Sequence, residues 1–109
     1  MNRDKILGLV SLSRKAGKLL VGFEPAAEAA LRGEAAAVLL SRDLSPNSEK
    51  RLRRKLEPLE EDSPPVYKVP FTMEELSRIT GRLTGICTVT DEGFAKGLGA
   101  LMTDEEDTI

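Results

Sequence analysis

Apolar positions change their period several times along the chain, and each change marks an element. Ile6, Leu7, Leu9, Val10 and Leu12 form a wide apolar set at helical spacing. They predict a first helix from about Arg3 to Lys15, with Asn2 as N-cap and Gly17 near its end. The short apolar run Leu19, Leu20, Val21 reads as a strand leading to Gly22. A second helix begins near Glu24, with Pro25 tolerated in its first turn and Gly33 as its stop. "AAAVLLS" carries no helical polar face, so residues 36–41 read as a buried strand.

"SRDLSPNSEKRLRRKLEPL" then gives a loop and a third helix. Ser45 is its cap, Pro46 its first residue, and Glu49 suits the positive end of the helix dipole. Leu52, Leu56 and Leu59 share one face, while Pro58 ends the helix before Leu59. "EEDSPP" reads as an acidic, turn-rich linker, and "VYKV" alternates as a strand over 66–69. Thr72 and Glu75 have the spacing of a capping box, for a helix ending near Gly81. "GICTVT" predicts a third buried strand over 86–89. A last helix starts near Asp91 with Phe94, Leu98 and Leu101 as its apolar stripe. No long-period repeat interrupts the alternation. The expected fold class is therefore α/β, a three-layer α/β/α sandwich on a small sheet, mainly parallel or mixed. One domain spans 1–101, and "MTDEEDTI" over 102–109 reads as an acidic, frayed tail.

Composition narrows the chemistry. The 109 residues suffice for one core. No apolar run approaches the roughly 20 residues of a membrane span, and the amino terminus lacks a signal-peptide pattern. A single Cys87 fits a reducing compartment, so a cytoplasmic location is expected. With no histidine and one cysteine, the usual zinc sites, histidine acid–base chemistry and a Ser-His-Asp triad are all excluded. The expectation is no catalysis, no metal, no cofactor and no small-molecule substrate. The formal net charge of −2 hides an asymmetry, +6 over residues 1–55 and −8 over 56–109. The local field is what a partner meets, so an acidic chain can still take a polyanion.

Three segments are candidates for that role. "RKAGKLLVG" places Arg14, Lys15 and Lys18 upstream of a helix start, whose N–H groups attract anions. The same letters also suit a glycine-terminated helix with cations in its last turn. In "EKRLRRK", Lys50, Arg51, Arg53, Arg54 and Lys55 repel one another, and either a nearby polyanion or the acidic linker beyond relieves them. In "GRLTG", Gly81 and Gly85 bracket Arg82, Leu83 and Thr84. An exposed leucine beside an arginine can stack on a base and hold a phosphate, or simply join a helix to a strand. "GLG" at 97–99 lies within a helical pattern and follows no strand, so it is no nucleotide fingerprint.

In order, "RKAGKLLVGFEPAAEAALRGEAAAVLLSRDLSPNSEKRL" resembles the ribosomal protein L-seven-Ae and L-thirty-e family, in particular its bacterial YlxQ-like branch. "TDEGFAKGL" near the carboxyl end resembles the same branch. The resemblance covers roughly residues 2–98 and implies an α/β/α sandwich. It also implies binding to structured, kink-turn-like RNA, with ribosomal RNA or ribosomal proteins as partners. The implied contacts are Lys18, Gly22, Phe23, Glu24, Pro25 and Glu28, together with Arg82, Leu83 and Thr84. Arg14 and Lys15 would lie near the phosphates, and Lys50, Arg51, Arg54 and Lys55 would extend the basic surface. Kink-turn binders of this family carry an Asn-Glu pair where this chain has Glu24 and Pro25, and a lysine where it has Glu28. Those three departures support an alternative, a protein-interaction module that keeps the fold without kink-turn recognition.

Overall fold

The computed structural model describes residues 2–107. Helix α1 (Arg3–Lys15) begins at Asn2, which occupies the N-cap position without capping. Its side-chain Nδ2 donates instead to the Leu101 carbonyl at 3.1 Å, tying the start of α1 to the last helix. The helix closes in a Schellman turn, with Gly17 N–H donating to Arg14 O and Lys18 N–H to Ser13 O. Strand β1 (Leu19–Val21) and helix α2 (Phe23–Leu31) follow, then strand β2 (Ala37–Leu40), buried along its whole length.

Helix α3 (Pro46–Leu56) starts as its sequence requires, the Ser45 hydroxyl accepting from Ser48 N–H at 3.2 Å. Helix α3 ends before Leu59, as Pro58 requires, and the segment that follows is kinked at Glu60, whose φ is 49°. Pro58 sits in the first turn of a 3-10 helix (Glu57–Asp62), a position where its missing N–H costs nothing. Strand β3 (Val66–Lys68) leads to helix α4 (Met73–Thr80), whose capping box is complete. Strand β4 (Ile86–Val89) and helix α5 (Glu92–Asp107) end the fold. Helix α5 continues without a break from residue 101 into the acidic segment, of which 108–109 lie outside the described residues. Asp91 Oδ2 accepts from Phe94 N–H at 2.9 Å and so supplies its cap.

The strands lie in the order β1-β4-β2-β3. Strand β4 is antiparallel to both β1 and β2, and only β2–β3 is parallel. The sheet is therefore mixed rather than mainly parallel. The β3–α4–β4 connection returns the chain to the end of the sheet where β2 and β3 finish, Gly85 O accepting from Ser41 N–H at 2.8 Å. Strand β4 thus enters opposite the end of β2, Ile86 pairing with Leu40.

Alternation along the strands divides the core. Ala37, Leu39, Cys87 and Val89 face α1, α4 and α5, where Ile6, Val10, Leu76 and Leu98 meet them. Val38, Leu40 and Ile86 face α2 and α3, through Ala26, Ala30, Leu52 and Leu56. These are the three expected layers. "GLG" serves packing, since a Cβ on Gly97 would meet Leu9 Cδ1 at 3.1 Å where α5 crosses α1. Among the described residues, no helix is long and apolar enough to cross a membrane.

Candidate functional site

The alternating strand directions bring one end of the sheet together from distant parts of the chain. Gly22 is the hinge of that end. Its φ of 109° and ψ of 167° lie in a region essentially confined to glycine. There it does two jobs at once. Its N–H donates to Ile86 O at 2.9 Å, extending the β1–β4 pairing, and its carbonyl accepts from Ala26 N–H at 3.3 Å to open α2. Among the described residues, no side chain caps that helix. Its first N–H groups have no intrahelical acceptor and carry the positive end of the dipole.

The loop between α4 and β4 is fastened to this turn. Arg82 Nη2 donates to Val21 O at 2.8 Å, and lies 3.5 Å from where a Cβ of Gly22 would stand. Thr80 is 3% exposed, and its hydroxyl donates to Arg82 O at 2.8 Å. Thr84 Oγ1 accepts from Ile86 N–H at 3.3 Å. Gly85 lies so close to the β2–α3 connection that a Cβ would meet Ser41 Oγ at 2.7 Å. The loop is held from both ends, and at its tip Leu83 is 73% exposed. Between loop and turn runs a groove of about 410 Å³, lined in part by Arg14, Leu20, Val21, Pro25, Thr80 and Arg82.

Not every residue singled out in the sequence meets this groove. Lys15 is exposed in the last turn of α1. Lys18 stands at the other end of β1 from Gly22, about 13 Å of extended chain away. It lines a separate depression with Glu34, Thr90 and Glu92. Glu24 and Glu28 are both exposed on α2, one turn apart. Phe23 is half-buried, and the Arg51 guanidinium lies over its ring, 4.4 Å from the centroid. That stack sets the basic face of α3 beside the Gly22 turn, a relationship that sequence could not supply. Sequence also passed over Leu20 and Thr80. Their only signals were an apolar residue in a short strand and a hydroxyl just before a glycine.

The groove is lined by both charged and apolar side chains. It offers the guanidinium groups of Arg14 and Arg82, a helix amino end and the partly exposed Leu20, with the exposed Leu83 beside it. Among the described residues, no group of three or more His, Cys, Asp or Glu is placed to hold a metal ion. Cys87 is fully buried within the sheet, and burial pushes its thiol up to about 11.

Residues 4–99 match the family described as ribosomal protein L7Ae/L30e/S12e/Gadd45. The RNA-binding protein YlxQ of Enterococcus faecium is 29% identical over 99 residues, 87% of this chain and 88% of that protein. The RNA-binding protein YlxQ of Bacillus subtilis (strain 168) is 30% identical over 99 residues, covering 86% and 91%. A solved structure of a protein of unknown function from Bacillus halodurans C superposes with a TM-score of 0.79 at 31% identity, covering 91% of this chain and 97% of that one. The Giardia lamblia 15.5kD RNA binding protein superposes with a TM-score of 0.71 at 17% identity, over 100% and 92% of the chains. At that identity the likeness is one of fold.

Proposed function

The chain belongs to the ribosomal protein L7Ae/L30e/S12e/Gadd45 family, and on that premise we propose that it is a non-catalytic, cytoplasmic RNA-binding protein. Its ligand is structured RNA of the kink-turn type, ribosomal RNA included. The observation that carries this reading is the bond from Arg82 to Val21, which holds the exposed Leu83 loop against the amino end of α2. A sharply bent RNA offers both things such a site takes: backbone phosphates crowded at the bend and unstacked bases beside them. Arg14 and Arg82 meet phosphates, Gly22 lets the backbone approach closely, and Leu83 packs on a base. Glu24 accepts from a guanine edge, while Pro25 shapes the groove wall. The names of the YlxQ relatives support RNA as the ligand.

If three to five phosphates are neutralised, log affinity falls against log salt with a slope of about −3 to −4.5, on the duplex coefficient. The test is titration of a labelled kink-turn RNA beside a control whose sheared G·A pairs are converted to Watson–Crick pairs. Tight binding that requires the G·A pairs is the expected result. Equal, weak binding to both would sink the kink-turn assignment.

Glu24 and Glu28 favour one second reading. Both are exposed, and neither takes part in the ion pairs formed among the described residues. Such a helix face suits a basic protein, ribosomal proteins among them. Partners that stay bound after ribonuclease treatment would favour this reading over RNA.

A further inference from the structure

The stack of Arg51 on Phe23 joins two surfaces that the chain order keeps apart. Phe23 is the first residue of α2, directly after the Gly22 turn, and Arg51 lies in the middle of α3. On α3, Leu52 and Leu56 face the sheet, which turns the intervening cations outward. They fall into two sets. Arg53 lies on the β3 flank, where its Nε donates to Glu49 at 3.0 Å, and Lys68 of β3 meets the same carboxylate at 3.2 Å. Lys50, Arg51, Arg54 and Lys55 are exposed and enter none of the ion pairs among the described residues. Arg51 and Lys55 are one turn apart on the flank toward α2, and Lys50 and Arg54 one turn apart on the outer face.

Four uncompensated cations on two adjacent turns raise one another's energy, and a row of phosphates relieves that repulsion. Arg51 shows where the row begins. Its guanidinium is held over Phe23, within reach of the amino end of α2, where an anion is already favoured. We propose that α3 is a second, sequence-independent RNA contact: its face of Lys50, Arg51, Arg54 and Lys55 takes the backbone of a helical stem that continues from the RNA element seated at the Gly22 turn. This rests on the RNA-binding reading above and extends it. The ligand is then a bend plus an attached duplex arm, and a bend with a short arm forfeits the α3 contacts.

The test uses the full chain and two kink-turn RNAs that differ only in one stem, lengthened on the side that approaches α3. Lys50→Glu/Arg54→Glu is compared with Arg53→Glu, a change on the opposite flank of the same helix, and melting midpoints confirm that both variants fold. On the long-stem RNA, the double variant should lose about two units of salt slope, equivalent to about 30-fold in affinity at 150 mM salt. On the short-stem RNA it should match the wild type, and Arg53→Glu should keep the wild-type slope on both. Equal losses from the two variants, or a loss that ignores stem length, would overturn the α3 contact and leave the Gly22 site standing. Failure of the wild type to bind either RNA would remove the RNA-binding reading and this inference together.

Discussion

Arg82 and Val21, 61 residues apart in sequence, share a hydrogen bond of 2.8 Å from guanidinium to backbone carbonyl. This contact ties the α4–β4 loop to the Gly22 turn. It occupies one N–H of a planar group that has several, so the remaining donors stay open to a ligand. Arg82→Ala should therefore act on binding in two ways, by removing a phosphate contact and by releasing the Leu83 loop. The salt slope should fall by about one unit. The melting midpoint should move little, because Arg82 is exposed and surface changes are worth about 0.5 kcal/mol. A large loss of stability with affinity unchanged would contradict the division proposed between fold and site.

Gly22→Ala tests the turn itself. A Cβ there would meet Arg82 Nη2 at 3.5 Å and Pro25 Cδ at 3.6 Å, both ordinary contacts. The cost is thus in the backbone, whose conformation an L-residue rarely adopts, and should be about 2 kcal/mol. The midpoint should drop by about 10 °C in thermal melts followed by circular dichroism. An unchanged midpoint would mean that the turn relaxes freely and does not hold the groove.

Elements that rest on neighbouring residues were legible in the sequence. The Ser45 cap, the Thr72–Glu75 box and the glycine stop at Gly17 each involve groups a few positions apart, so local spacing contains them. The three layers followed from the alternation of helix and strand. Strand direction did not, because it depended on the end of the sheet to which the β3–α4–β4 connection returns the chain. The site was legible only in pieces. "RKAGKLLVG" and "GRLTG" were identifiable as segments, whereas the Arg82–Val21 tie and the Arg51–Phe23 stack are contacts between segments with no local signature. The separation of Lys18 from the Gly22 turn arises from the extended chain of β1 between them, a distance that a list of nearby cations conceals.

Thr88 offers a test of the core. It is fully buried in β4, and its hydroxyl has no hydrogen-bond partner among the described residues. An unmatched buried hydroxyl costs free energy, and valine has the same shape without it. Thr88→Val should stabilise the fold by about 1 kcal/mol, read from the midpoint of urea unfolding at constant m-value. Destabilisation would show that the hydroxyl is satisfied in solution, for instance by water.

Cys87 reports on opening of the same sheet. Its thiol is inaccessible and pushed up to about 11 by burial, so almost no thiolate exists at pH 8. A disulfide reagent should leave the native protein unlabelled. Labelling should appear with added urea in step with the loss of helix signal. Rapid labelling without denaturant would mean that β4 is exposed by local motion.

Three carboxylates among the described residues link the fold's stability to pH. Glu75 accepts from Thr72 N–H at 3.0 Å and lies against the Arg3 guanidinium, and both hold its carboxyl below the usual range. The Met73 N–H does the same for Asp43, and Arg53 followed by Lys68 for Glu49. A carboxyl lowered in the folded state binds its proton more weakly there than in the unfolded chain. Its stabilisation is complete above the ordinary carboxylate values near pH 4 and is lost as pH falls through the lower folded ones. The melting midpoint should therefore be level from about pH 7 to 5 and fall below about pH 4. Glu75→Gln keeps a capping-box side chain but removes the charge and its titration. Its midpoint should lie below that of the wild type at pH 7, and the gap should close toward pH 3. A gap that stayed constant across that range would show that the Glu75 charge contributes nothing, and that the hydrogen bonds of the box alone secure the start of α4.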